Sequence, residues 1–185
     1  MALVRADLIS YADLQRKPDD GRQYELYNGE VRVVPPPTNR HQMVLRNLFL
    51  ALLEYERRFG GRVLFAPSDV VLSDYNVIQP DLLYFTETRR HLLHLDEPTR
   101  AAPDLIIEVV SPGSSAVDRG RKQAVCARFG VLEYWLADPF EETIEVFAPD
   151  GSGYRLAQTA GPGHVAASPS IDALRVATGR VFDLG

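Results

Sequence analysis

The sequence predicts an α/β protein: a mixed central β-sheet flanked by α-helices, with a β-hairpin near the N-terminus. Three observations predict it. Two segments with helical spacing of apolar residues, 40–59 and 114–129, alternate with short β-branched or aromatic runs. One such run, Leu105-Ile106-Ile107-Glu108-Val109-Val110, is apolar toward both faces, as in a strand covered on two sides. Asn28-Gly29 lies between two alternating segments and is the strongest short hairpin-turn signal.

The elements follow in order. Residues 1–21 read as a helical lead-in, with Ser10 and Asp13 forming a capping box and Lys17-Pro18-Asp19-Asp20-Gly21 ending it. In the hairpin, a two-residue turn pairs Tyr27 with Glu30, Leu26 with Val31, Glu25 with Arg32 and Tyr24 with Val33. Tyr24, Leu26, Val31 and Val33 then form an apolar face directed at the core. Glu25, Tyr27, Glu30 and Arg32 form a second face toward solvent or a cleft.

Pro35-Pro36-Pro37 stops the hairpin, and Thr38 or Asn39 caps a long helix over 40–59 carrying Val44, Leu45, Leu48, Phe49, Leu52, Tyr55 and Phe59. Gly60-Gly61 closes it. Strands follow at 63–66, 69–72 and 77–85, the last interrupted by Pro80. The charged stretch 86–103 carries a short helix around 89–95. After the strand at 105–110, Ser111-Pro112-Gly113 breaks the chain, and Ser114 or Ser115 caps a second helix reaching Phe129 and Gly130. Strands at 134–137 and 143–148 are joined by Asp138-Pro139, and Asp150-Gly151 turns into Tyr154-Arg155-Leu156. The tail from 165 to 184 is weakly patterned and reads as edge structure.

Composition narrows the function classes. A length of 185 residues predicts one domain, by a prior of roughly 150 residues per domain. A net charge of −5 excludes a global field drawing the protein onto nucleic acid or anionic lipid, so such binding must use local basic patches. The single cysteine, Cys126, excludes an intramolecular disulfide and a cysteine-based zinc site. With neither a signal-like start nor an apolar run of membrane length, the expected setting is soluble and cytoplasmic.

Glu108 is the most informative residue. A carboxylate buried without a partner costs several kcal/mol, so five apolar neighbours around it point to a function or a paired charge. Asp81 opens a second apolar run, Asp81-Leu82-Leu83-Tyr84-Phe85. If the two strands are neighbours, these acids converge on one hard divalent cation, which one or two carboxylates hold together with water and substrate oxygens. The structural alternative has Asp81 capping the turn after Pro80 and Glu108 paired with Arg32 or Arg128. Lys122 shares a helix face with Val125, Cys126 and Phe129, while Arg119 and Arg128 are better placed for solvent. An inward lysine beside two acids orients a nucleophilic water or stabilises a charged transition state; the alternative is a lysine paired with Asp118 at i−4.

On the hairpin, Glu25 has Arg32 opposite it and reads as a surface pair, whereas Glu30 is the freer ligand candidate. His41 reads as a surface or capping residue, and His91, His94 and His164 show no zinc spacing. Cys126 reads as core. No nucleophile elbow, Walker loop or dinucleotide fingerprint is present.

Gln79-Pro80-Asp81, Ala102-Pro103-Asp104 leading into the strand that ends Val109-Val110-Ser111-Pro112, and Asp118 to Lys122 together resemble the Uma-type "putative restriction endonuclease" family. That family is a branch of the PD-(D/E)XK nuclease superfamily, widespread in bacteria. Tyr24-Glu25-Leu26, Asn28-Gly29-Glu30, His41 and the run from Glu133 to Pro139 also match, so the resemblance covers residues 22–182. It implies a restriction-endonuclease-like core and a magnesium-dependent (or manganese-dependent) nuclease acting on DNA. Asp81 and Glu108 would be the metal ligands and Glu30, more loosely, an additional acid. The superfamily's lysine two residues after the second acid would fall at Val110; in this branch Lys122 takes that part. Nuclease folds that cut both strands often dimerise, so a homodimer is expected, with no residue marking its interface. The alternative is a catalytically silent DNA-associated or protein-interaction module on the same fold.

Overall fold

The structure, a computed structural model, describes residues 8–111 and 118–185. The caps expected at Ser114 or Ser115 lie outside these residues, as does the side chain of Asp118. The N-terminal helix α1, Tyr11–Gln15, starts at a reciprocal capping box: Asp13 N donates to Ser10 Oγ and Ser10 N to Asp13 Oδ2.

Strands β1 (Gln23–Tyr27) and β2 (Glu30–Val34) form the hairpin with the expected register, Tyr27 to Glu30 through Tyr24 to Val33. Asn28 and Gly29 both have positive φ, 52° and 81°, as a type I′ turn requires. Helix α2, Asn39–Phe59, begins at Thr38, whose side chain accepts from His41 N, and ends at Gly60. Next come β3 (Arg62–Phe65), β4 (Val70–Ser73), β5 (Asn76–Ile78), β6 (Leu82–Phe85) and β7 (Leu105–Val109). Between β6 and β7 the expected helix is a single 3-10 turn, Arg90–Leu92. A π-helical turn, Asp118–Lys122, leads into α3, Gln123–Arg128. β8 (Glu133–Asp138), β9 (Thr143–Asp150), β10 (Gly153–Ala160), β11 (Val165–Ala167), β12 (Arg175–Ala177) and α4 (Thr178–Val181) complete the order.

The main sheet has six strands in the order β10-β9-β8-β7-β6-β3. Only β7 and β8 run parallel, and the chain between them carries α3 across one face, the crossover that a parallel pair requires. A smaller sheet, β2-β1-β5-β4, holds the hairpin.

Alternation along β7 divides the core. Leu105, Ile107 and Val109 pack with Val44, Leu45, Leu48 and Leu52 of α2. Ile106 and Val110 pack with Val125 and Cys126 of α3 and with Tyr27 from the hairpin. Glu108 has the parity of the α3 face.

Two expectations are corrected. The hairpin does not divide by face: β1 is buried on both sides, Leu26 as fully as Glu25 and Tyr27, whereas Val31 and Val33 of β2, and Glu30 with them, are exposed. Nor is the tail edge structure alone. Ala166, Ile171, Leu174, Val176, Val181 and Phe182 belong to the α2-side core. Glu133, fully buried on β8, fastens this tail by accepting from Ser168 Oγ (2.6 Å), Ser170 N (2.7 Å) and Trp135 Nε1 (2.9 Å).

Candidate active site

A cleft of about 200 Å³ opens between the hairpin, the start of α2 and the adjoining ends of β6 and β7. Asp81, Glu108 and Lys122 line it, together with Glu25, Arg32, His41 and Gln79.

The strands bring the acids together. β6 and β7 are antiparallel with Leu82 opposite Ile107 and Leu83 opposite Ile106, so Asp81, in the bend just before β6, and Glu108, near the end of β7, lie at the same end of this strand pair. Asp81 Oδ2 accepts from Val109 N at 2.8 Å, which ties the residue after Pro80 to the end of β7. Glu108 is 4% exposed.

Lys122, 3% exposed, supplies the charge facing it. Its stem follows the same side as Val125 and Cys126, both buried, while Arg119 and Arg128 are exposed. Nζ lies 2.7 Å from Glu108 Oε1 and 2.9 Å from Glu25 Oε1, and donates to Gln79 O at 3.2 Å. At 2.7 Å the Glu108 contact is a close ion pair. Among the described residues the cation paired with Glu108 is Lys122.

Glu25 is the residue the sequence reading misplaced. It is a buried partner of Lys122 rather than half of a surface pair. Oε1 also accepts from Gln79 N at 2.9 Å and Oε2 from Tyr27 Oη at 2.7 Å. The available signal was Tyr27, an aromatic sharing the face with Glu25, which marks that face as covered. Glu30 lies elsewhere. It is exposed, pairs with Arg121 and does not line the cleft.

His41 is likewise not a surface residue. It is 8% exposed, and Nε2 lies 3.0 Å from Asp81 Oδ2. The first turn of α2 carries no acidic residue of its own, so the Asp81 carboxylate stands where the helix dipole favours a negative charge. Cys126 is fully buried behind Lys122, and burial pushes its thiol up, away from nucleophilic use.

Three carboxylates line the cleft against the two cations Lys122 and Arg32, which favours a further cation. Among the described residues, no three His, Cys, Asp or Glu side chains come together as a complete metal cage. The carboxylate oxygens of Asp81 and Glu108 are hard donors, the kind magnesium takes from protein alongside water and substrate oxygens.

A mixed sheet sandwiched by helices, with acids of adjoining strands lining one cleft, sets the class: an α/β protein with an acidic cleft. The sequence pattern of the Uma2 family, described as "Putative restriction endonuclease", matches residues 10–178, and the chain belongs to that family. The match starts at the cap of α1 rather than at the hairpin. Among solved structures, the chain resembles a crystal structure described as a "putative nuclease belonging to DUF820" from Anabaena variabilis ATCC 29413. The two are 20% identical with a TM-score of 0.79, over 95% of this chain and 98% of the other, a likeness of fold. No curated protein matches. Among the described residues no helix is long and apolar enough to cross a membrane.

Proposed function

We propose that this protein is a metal-dependent, endonuclease-like phosphodiesterase acting on DNA. Asp81 and Glu108 would hold magnesium or manganese. The observation that carries the reading is the buried ionic cluster itself: Glu108 and Glu25 share Lys122 at 2.7 and 2.9 Å, in the cleft that Asp81 lines. A bound divalent cation lowers the pKa of water and offsets charge on the pentacoordinate phosphorus. Lys122 presents an ammonium to the same space, where it orients the attacking water or stabilises the phosphoryl oxygens. Glu25 and Gln79 O fix that ammonium from behind. As water attacks phosphorus, the bond to the leaving oxygen breaks and that oxygen takes up a proton. The cleft has room for a phosphate group and several waters. Glu30, on the outer surface, is left out of this assignment.

Plasmid cleavage tests the reading. Wild-type protein with Mg²⁺ or Mn²⁺ is expected to nick or linearise supercoiled DNA, and Glu108→Ala to abolish this. Cleavage that survives Glu108→Ala overturns the assignment.

The closed state of Lys122, flanked by two carboxylates, favours a second reading: a catalytically silent DNA-associated or protein-interaction module. The net charge of −5 agrees with it. Calorimetry distinguishes the two, since a silent module need not take up Mg²⁺ or Mn²⁺ at all. The nuclease reading includes a homodimer that brings one cleft to each strand, and sedimentation of the pure protein tests that part.

A further inference from the structure

We propose that His41 is a positioning residue that clamps Oδ2 of Asp81, so that Oδ1 is the oxygen offered to the cleft. The inference rests on the metal-dependent reading and adds a member to its site.

The clamp has two arms. His41 Nε2 lies 3.0 Å from Oδ2, and Val109 N donates to the same oxygen at 2.8 Å. Among the described residues no bond falls on Oδ1. With both donors on one oxygen, the carboxylate can neither rotate nor exchange its two oxygens without losing a buried bond. Each arm is fixed by a separate element. Val109 N belongs to the backbone of β7. His41 stands in the first turn of α2, held by its own N–H to Thr38 Oγ1 at 3.3 Å.

The tautomer follows from the acceptor. A carboxylate oxygen cannot donate, so Nε2 carries a proton. Nδ1 is buried and has no partner among the described residues. A buried histidine kept only for structure ordinarily satisfies both nitrogens. Residues that orient a metal-ligating carboxylate typically change metal affinity or activity by about 10- to 100-fold when removed.

The full-length protein and its His41→Leu and His41→Gln variants test the clamp. Titration with MnCl₂ is followed by calorimetry, plasmid cleavage is analysed for kcat and KM separately, and nitrogen NMR reads the imidazole of the metal-free wild type. The clamp predicts the Nε2–H tautomer. It predicts an affinity for Mn²⁺ weaker by about 10- to 100-fold in His41→Leu, with a similar fall in kcat and little change in KM. His41→Gln, whose Nε2–H reaches toward the same oxygen, recovers most of both. Leucine binding Mn²⁺ as the wild type does, glutamine failing to rescue, or an Nδ1–H tautomer each overturns the clamp alone. Wild-type protein that takes up no Mn²⁺ overturns the metal-dependent reading, and the clamp's purpose with it.

Discussion

The ammonium of Lys122 lies 2.9 Å from Oε1 of Glu25, joining the turn ahead of α3 to the first strand of the hairpin. These residues are far apart in sequence and 3% exposed each. Their contact shows why the Glu25 and Tyr27 side of β1 is covered as fully as its Leu26 side. That face completes an ionic cluster begun by Glu108, and the cleft is what remains between the hairpin and the main sheet.

Lys122→Met removes the cation between two buried carboxylates. Breaking one side of a buried ion pair usually costs about 3–5 kcal/mol, because the charges left behind have lost both water and partner. The variant is expected to lose stability on that scale in urea unfolding at neutral pH. Adding Glu25→Gln and Glu108→Gln removes the stranded charges and is expected to restore most of it. A triple variant no more stable than Lys122→Met alone would show that the cluster is not coupled through this lysine.

Glu133 offers a test away from the cleft. Its carboxylate accepts from Trp135 Nε1, Ser168 Oγ and Ser170 N, with no cation among those partners. Glu133→Leu strands these donors, at about 1–3 kcal/mol for each one that finds no other partner. The urea midpoint is expected to drop accordingly. Fluorescence of Trp135, the protein's one tryptophan, is expected to report loosening of the tail.

Much of this arrangement was legible in the sequence, and what was missed shares a physical cause. β7 stood out because five apolar residues surround Glu108. The hairpin register followed from Asn28-Gly29, and the inward direction of Lys122 from its spacing to Val125 and Cys126. Glu25 was missed because hydrophobicity gave the hairpin one buried and one open face, whereas β1 is buried on both, Leu26 on one side and Glu25 with Tyr27 on the other. His41 was missed because its partner Asp81 is forty residues away, beyond any local pattern. The tail was undervalued for the same reason, since its anchor is Glu133 on another element.

Alkaline pH should destabilise the protein in a definite order. Burial raises the Cys126 thiol, with Lys122 opposing and Glu108 and Glu25 reinforcing the shift. Burial raises Tyr27 in the same way, and Tyr84 and Tyr154 too. Each group keeps its proton when folded and releases it when unfolded. Its contribution is therefore intact below the unfolded value and lost as pH rises past it, from about 8.5 for cysteine and about 10 for tyrosine. Unfolding free energy is expected to hold steady from pH 7 to 8. It should then decline, at up to about 1.4 kcal/mol per pH unit for the first group. Cys126→Ala should remove that first decline while leaving the tyrosine part above pH 10. A thiol reagent should label Cys126 only after denaturation.

The two hairpin acids make opposite predictions. Glu30 is exposed and pairs with exposed Arg121, a contact of the kind that contributes under about 1 kcal/mol. Glu30→Ala should leave stability, Mn²⁺ affinity and plasmid cleavage near wild type. Glu25→Gln keeps an oxygen for Gln79 N but withdraws the charge facing Lys122, which is then drawn to Glu108 alone. A partner that orients a site group typically matters by about 10- to 100-fold, so cleavage should fall by that order while the protein still folds. Melting curves for both variants, taken beside the cleavage assay, separate loss of the site from loss of the fold. If Glu30→Ala is the variant that fails and Glu25→Gln the one that works, the cluster around Lys122 is structural and the cleft is not where the chemistry occurs.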